Sequence, residues 1–132
     1  QFRLKRPAWP AISLTSDTAV LTAISNDSGF DFIFSRQIEA LGKKGDILII
    51  LTTSDADINQ HKHSVNLHQA LVTAKKYKLI TIGLISEKTK KLSKLIDFPI
   101  MAPSTDTPRI QEIHSLIINL ICEEVEKKLV IK

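Results

Sequence analysis

Cysteine is nearly absent from this chain. Cys122 is the only one in 132 residues, which excludes an internal disulfide framework and fits a reducing, cytoplasmic setting. Its place in an apolar helical stretch marks it as a buried structural thiol rather than a nucleophile. Aromatic residues make up only 5% of the chain. None alternates with the basic runs, so a base-stacking surface for single-stranded nucleic acid is not supported. Long hydrophobic runs are missing too. The longest, Ile47-Leu48-Ile49-Ile50-Leu51, is strand-sized and far short of the roughly 20 residues that a membrane helix needs. No signal-peptide pattern opens the chain.

What is present has the balance of a soluble globular domain, with 43% hydrophobic and 24% charged residues. The length suits one domain, 1–132, with a real core. The net charge of +4 is uneven, because lysines crowd Lys75-Lys76-Tyr77-Lys78 and Lys88-Thr89-Lys90-Lys91-Leu92-Ser93-Lys94. Such charge can serve a phosphate ligand or nucleic acid. Without interleaved aromatics the runs read as solvated helix faces, and neither direct nucleic-acid binding nor membrane attachment is expected.

Along the chain, Pro10–Thr15 reads as a short strand. Ser16 or Asp17 then caps a helix through Ile24, since either side chain can accept free amide hydrogens. Asn26-Asp27-Ser28-Gly29 is a turn cluster, and Phe30–Leu41 a second helix closed by Gly42. Ile47–Thr53 is continuously apolar, as a strand covered on both faces would be. A helix from about Val65 to Tyr77 follows, then a buried strand over Leu79–Ile85, a short basic helix around Lys90–Leu95 and a weak edge strand at Phe98–Met101. The alternation predicts an α/β structure with a parallel sheet. The last segment, from Arg109 to Lys132, places Ile110, Ile113, Ile117, Leu120, Ile121, Val125 and Leu129 at helical spacing.

In such sheets ligands bind beyond the carboxyl ends of the strands, near free helix amides. Thr52-Thr53-Ser54 lies there, and Asn26-Asp27 sits at another strand-to-helix region that can join the same cleft. On the last helix Gln111, Ser115 and Asn119 recur at steps of four and share one side. They read either as ordinary surface residues or as the polar edge of a cleft. Between Ser54 and Ser64 runs a polar stretch, Asp55–His63. His61, His63 and His68, with Asp55 or Asp57, have the chemistry of a metal site, and equally that of a solvated loop.

Several segments in order resemble the sugar isomerase (SIS) domain family. They are Arg6-Pro7, Pro10-Ala11-Ile12, Leu21-Thr22-Ala23-Ile24-Ser25-Asn26-Asp27, Phe34-Ser35-Arg36-Gln37, Ala40-Leu41-Gly42, Gly45-Asp46, Thr53-Ser54 and Arg109-Ile110-Gln111-Glu112-Ile113-His114. The similarity is to the branch that joins phosphoheptose isomerase and the DnaA initiator-associating protein. It implies a flavodoxin-like three-layer sandwich around a parallel sheet, assembled as a homotetramer with shared sugar-phosphate sites. It further implies that Asn26, Asp27, Thr52, Thr53, Ser54, Ser64 and Gln111 contact sugar and phosphate, with Gln111 also a metal ligand.

Three departures shape the functional expectation. The family carries a zinc-binding, catalytic histidine eight residues after the glutamine, where this chain has Asn119. His114 is a different position and does not replace it. Asparagine is no general acid or base near neutral pH and a poor zinc ligand. Next, the family begins earlier, with a strand, a Gly-rich loop and a helix bearing a further histidine and a catalytic glutamate, so the chain corresponds to the later two-thirds of the domain. Finally, Asp55 follows Thr53-Ser54 where the family has glycine, which eases close backbone approach to phosphate. Asp55 and Asp57 would repel a phosphate if they pointed into the site. The expectation is therefore a non-catalytic phosphosugar-binding protein of the initiator-associating type, needing no cofactor and partnered by a DnaA-type initiator. A zinc-dependent isomerase of sedoheptulose 7-phosphate is the alternative, and a sugar-phosphate sensor a third class.

Overall fold

The apolar run after Gly45-Asp46 becomes the first of three strands. The computed structural model describes residues 2–56 and 63–130. In it β1 (Ile47–Leu51), β2 (Ile80–Ser86) and β3 (Phe98–Ala102) form one parallel sheet in that spatial order. Ile49 lies beside Ile82 and Leu84 beside Ile100. Among the described residues four α-helices accompany the sheet: α1 (Thr18–Ser28), α2 (Ser35–Leu41), α3 (Val65–Lys76) and α4 (Thr107–Val130). The expected α/β architecture is present. Among the described residues no helix is long and apolar enough to cross a membrane, and the seven lysines of the two basic runs are all exposed.

Parallel strands need crossovers, and α3 supplies the one between β1 and β2. Its inner face closes the main core, where Leu71 packs with Ile50, Ala56, Ile85, Leu92 and Ile96. Gly83 makes this packing possible. A Cβ there would stand 2.5 Å from Ile96 Cδ1. α4 packs along β2 and β3, and Leu84, Ala102 and Ile110 are fully buried.

Several sequence expectations change. β1 is not covered on both faces: Leu48 and Ile50 turn to the core, whereas Ile47, Ile49 and Leu51 are 58%, 45% and 45% exposed. A continuous apolar run shows that both faces can be buried; here α4 crosses the sheet at β2 and β3. Pro10–Thr15 forms no strand, because no strand among the described residues offers it a ladder, and a strand without partners leaves its amides to water. α1 continues to Ser28, so Asn26 and Asp27 are helical. Gly29, at φ +97°, ends the helix with its amide donated to Ser25. Asp17 is the cap, accepting the Val20 amide at 3.0 Å. The helix expected over Phe30–Leu41 splits into a 3₁₀ turn (Phe30–Phe32) and α2, and that around Lys90–Leu95 is a 3₁₀ turn over Leu92–Leu95. Cys122 is partly exposed rather than buried, since the distal half of α4 has no layer over it.

That distal half is gripped by the first residues of the chain. Glu126 is buried, and its carboxylate accepts the amides of Phe2, Arg3 and Leu4 at 2.6, 2.7 and 3.0 Å and Arg6 Nε at 2.9 Å. Arg6 in turn lies 3.8 Å over the Trp9 ring, a cation–π contact. Burial pushes the Glu126 carboxyl up, but the three amides and the guanidinium outweigh it and bring it from 4.5 to about 2.

Two predictions follow from this packing. The Glu126 clasp has a depressed folded-state pKa, so its contribution is complete above about pH 4.5 and fades as pH falls through about 2. Fluorescence of Trp9, the single tryptophan, is expected to hold steady from neutral pH to about 4 and to change as pH approaches 2, whereas Glu126→Ala shows the changed signal already at neutral pH; a variant with unaltered emission and unaltered trypsin cleavage after Arg3 and Lys5 would refute the clasp. Separately, Gly83→Ala should destabilise by about 1–3 kcal/mol through its collision with Ile96, read from urea unfolding.

Candidate functional site

The site begins where β1 ends. The Thr52 amide still donates to Leu84 O at 3.0 Å, after which the chain leaves the sheet. Thr52 Oγ1 donates to Ser54 O at 2.8 Å and accepts the Ser54 amide at 3.1 Å, a tight local turn of the kind hydroxyl side chains make. Ser86, at the matching end of β2, donates its hydroxyl to Thr53 O at 3.2 Å. The loops after both strands are thereby tied together.

Ser64 stands 3.1 Å from Ser54, hydroxyl to hydroxyl, and 3.5 Å from Thr52 Oγ1. The intervening polar stretch does not separate them. Ser64 precedes α3 at φ +54°, in the left-handed region, and its hydroxyl makes no cap bond to the helix. It faces the serine–threonine cluster instead. Three hydroxyls thus gather at the amino terminus of a twelve-residue helix, where free amides and the helix dipole favour anions.

Asp55 does not disturb this cluster. Its carboxylate accepts the amides of Lys91 and Leu92 at 2.7 and 3.0 Å, capping the 3₁₀ turn that follows β2. Repulsion of a phosphate by Asp55 is removed by that orientation; Asp57 lies outside the described residues, as does His61. His63 is exposed, and His68 Nδ1 is buried without a hydrogen-bond partner. Among the described residues no three histidine, cysteine or acidic side chains gather as a metal site would require.

Across from the β1 terminus runs α4. Between them lies a cleft of about 440 Å³ lined by Leu51, Thr52, Thr53, Gln111, His114, Ser115 and Ile118. Gln111 and the threonines, singled out separately in the sequence, are brought together here. Ser54 and Ser64 adjoin through Thr52. Asn26 and Asp27, exposed on the last turn of α1, do not line this cleft, and neither does Asn119. Asn119 Nδ2 is spent on Ser115 O at 2.9 Å, and Ser115 Oγ on Gln111 O at 3.0 Å. His114 is the residue sequence reasoning set aside: it is buried, with Nε2 3.2 Å from Ile85 O. Its position three residues after Gln111 was the available signal.

The metal that the resemblance implies can be tested against these donors. Zinc takes thiolates, imidazoles and carboxylates. Gln111, Ser115 and Asn119 offer amides and a hydroxyl, and His114 already directs one nitrogen to a backbone carbonyl. The α4 residues do not fit a zinc site.

No family model matches the chain. Relatives in sequence are clear. A phosphoheptose isomerase of Geotalea daltonii is 43% identical over 129 residues, covering 98% of this chain and 64% of its own length. One of Clostridium acetobutylicum is 44% identical over 129 residues, covering 98% of this chain and 62% of its own length. Two solved structures, both 35% identical, share the fold. A phosphoheptose isomerase from Francisella tularensis matches with a TM-score of 0.83 over 93% of this chain and 62% of its own. One from Neisseria gonorrhoeae matches with 0.80 over 88% and 61%. The chain therefore spans a little under two thirds of the relatives it matches.

These findings correct the functional expectation. The non-catalytic, initiator-associating reading rested on Asn119 and the loop after Ser54, two local departures. Identity of 43% along nearly the whole chain to proteins named as isomerases outweighs them. The resemblance to the initiator-associating branch is not what the relatives display. This chain is similar in sequence to phosphoheptose isomerases along almost its entire length, at about 43% identity, and has their parallel α/β fold.

Proposed function

We propose that the protein is a phosphoheptose isomerase, interconverting sedoheptulose 7-phosphate and glycero-manno-heptose 7-phosphate. The observation that carries the reading is the 43% identity to such enzymes over 98% of the chain. The cleft between β1 and α4 supports it. In this reading the phosphate sits against the hydroxyls of Ser54 and Ser64 and the first amides of α3. Thr52, Thr53 and the Gln111 amide hold sugar hydroxyls, offering both donors and acceptors. Asn26 and Asp27 belong to the sugar-binding set as the resemblance has it, from outside this cleft.

The reaction moves a proton between neighbouring carbons, so positioned acid and base groups are required. Zinc belongs to the reading only through the resemblance, and no step is assigned to a metal held by α4. The homotetramer is likewise part of the reading. Its support is the set of apolar side chains exposed on α4 in the single chain, Leu116 and Leu120 one turn apart on one side and Val125 and Leu129 one turn apart on another.

The test is conversion of sedoheptulose 7-phosphate by the full-length protein, followed by NMR with and without prior chelation. Turnover is expected; a folded tetramer that shows none under either condition would overturn the reading. Ser64→Ala should raise KM about tenfold, the effect of one hydrogen bond to a charged group, with kcat altered no more than about threefold. An unchanged KM would remove Ser64 from the phosphate site.

A further inference from the structure

One chemical group in the cleft has no task in the reading above. Of the seven residues that line the cleft, His114 alone carries an imidazole, which can donate from one ring nitrogen and accept at the other; the other six are apolar, hydroxyl or amide side chains. The nearby charges at the start of α4 and just before it are occupied with one another. Arg109 pairs with Glu112 at 2.6 Å and reaches Asp106 at 3.9 Å, and none of the three lines the cleft.

The geometry of the ring fixes where its proton sits. Nε2 lies 3.2 Å from Ile85 O, and a carbonyl oxygen can only accept, so Nε2 carries the hydrogen. In the neutral ring the lone pair is then on Nδ1. Nδ1 has no partner among the described residues, yet it is not sealed from solvent as His68 Nδ1 is. The residue as a whole is only 4% exposed. His114 is thus a buried imidazole held in one tautomer by the backbone of β2, in the lining of a polar cleft and with an acceptor nitrogen that no described group occupies. A histidine present only to fill the core would have no need to leave that nitrogen reachable.

We propose that His114 is a catalytic residue of the isomerisation, carrying the proton that must move between the two substrate oxygens. This rests on the isomerase reading. In the ketose-to-aldose direction a general base of the carboxylate class, contributed from outside the seven lining residues, removes a proton from C1. The C–H pair becomes the C1=C2 bond, and the carbonyl pair moves onto O2. His114 Nδ1 then takes the proton from the C1 hydroxyl as the O–H pair forms the C1=O bond and the C1=C2 pair takes the returning proton at C2. The imidazolium delivers its proton to O2. Atoms and electrons balance with no oxidant or reductant.

The division of labour gives a signature that a structural role lacks. His114→Gln keeps an N–H donor for Ile85 O while removing the acceptor nitrogen. In full-length protein incubated with sedoheptulose 7-phosphate in D₂O, this variant should form product about 10²-fold more slowly or worse. It should still exchange the C1 hydrogen with solvent, since that step precedes the oxygen transfer. KM should change no more than about twofold. Imidazole added to His114→Ala, which leaves room for the ring, should restore part of the product rate. Wild-type product rates in His114→Gln, or loss of exchange and product together in a variant that retains wild-type melting, would overturn the proposal while leaving the isomerase reading intact. An inactive wild-type enzyme would remove both.

Discussion

Everything at the cleft hangs from the parallel ladder between β1 and β2. Because the two strands run the same way, their carboxyl ends finish side by side, and the loops that follow must leave from one edge of the sheet. The last ladder bond, from the Thr52 amide to Leu84 O, decides where β1 stops being a strand. Hydroxyl chemistry takes over from there. Ser86 ties the second loop to the first, and Asp55 pins the first loop to the turn after β2. Thr52 is held by bonds to backbone and the Ser54 and Ser64 hydroxyls by each other, so the cluster is arranged before any ligand arrives.

α4 plays two parts along its length. Its first half presents Ile110 and His114 inward and Gln111 and Ser115 to the cleft, joining packing and chemistry within two turns. Its second half is poorly covered and depends on Glu126, which gathers the amides of the chain's first residues around a buried carboxylate. A charge in that position is tolerable only because its acceptor sites are filled by donors. Asp97 uses the same device on a smaller scale. It accepts the Thr81 amide and hydroxyl at 2.9 and 2.8 Å, and those bonds lower its pKa.

The elements were legible where the signal is local. The β-branched runs of β1 and β2, the Asp17 cap and the periodicity of α3 and α4 all act over a few residues. What escaped depends on distant partners. The open face of β1 depends on where α4 crosses, and the Pro10–Thr15 segment on a ladder it does not find. Nothing near Glu126 in sequence announces that its partners lie more than 120 residues away. The same holds for the candidate site. Thr52, Thr53 and Gln111 were named from their types and positions, but the orientation of Asp55, the diversion of Asn119 onto its own helix and the anchored tautomer of His114 are three-dimensional facts. Reading Asn119 as decisive was an error of scale, a single position set against the whole chain.

The contact between Ser54 and Ser64 has a consequence for how the intervening stretch varies. When both ends of a loop are fixed by bonds of their own, the entropy of closing it grows only with the logarithm of its length, about 0.6 kcal/mol per doubling. A change in the number of residues between Ala56 and His63 therefore costs little, provided that Ser54, Asp55, Ala56 and Ser64 keep their partners. The length of chain between the two serines is thus cheap to alter, beside a cluster whose composition is not.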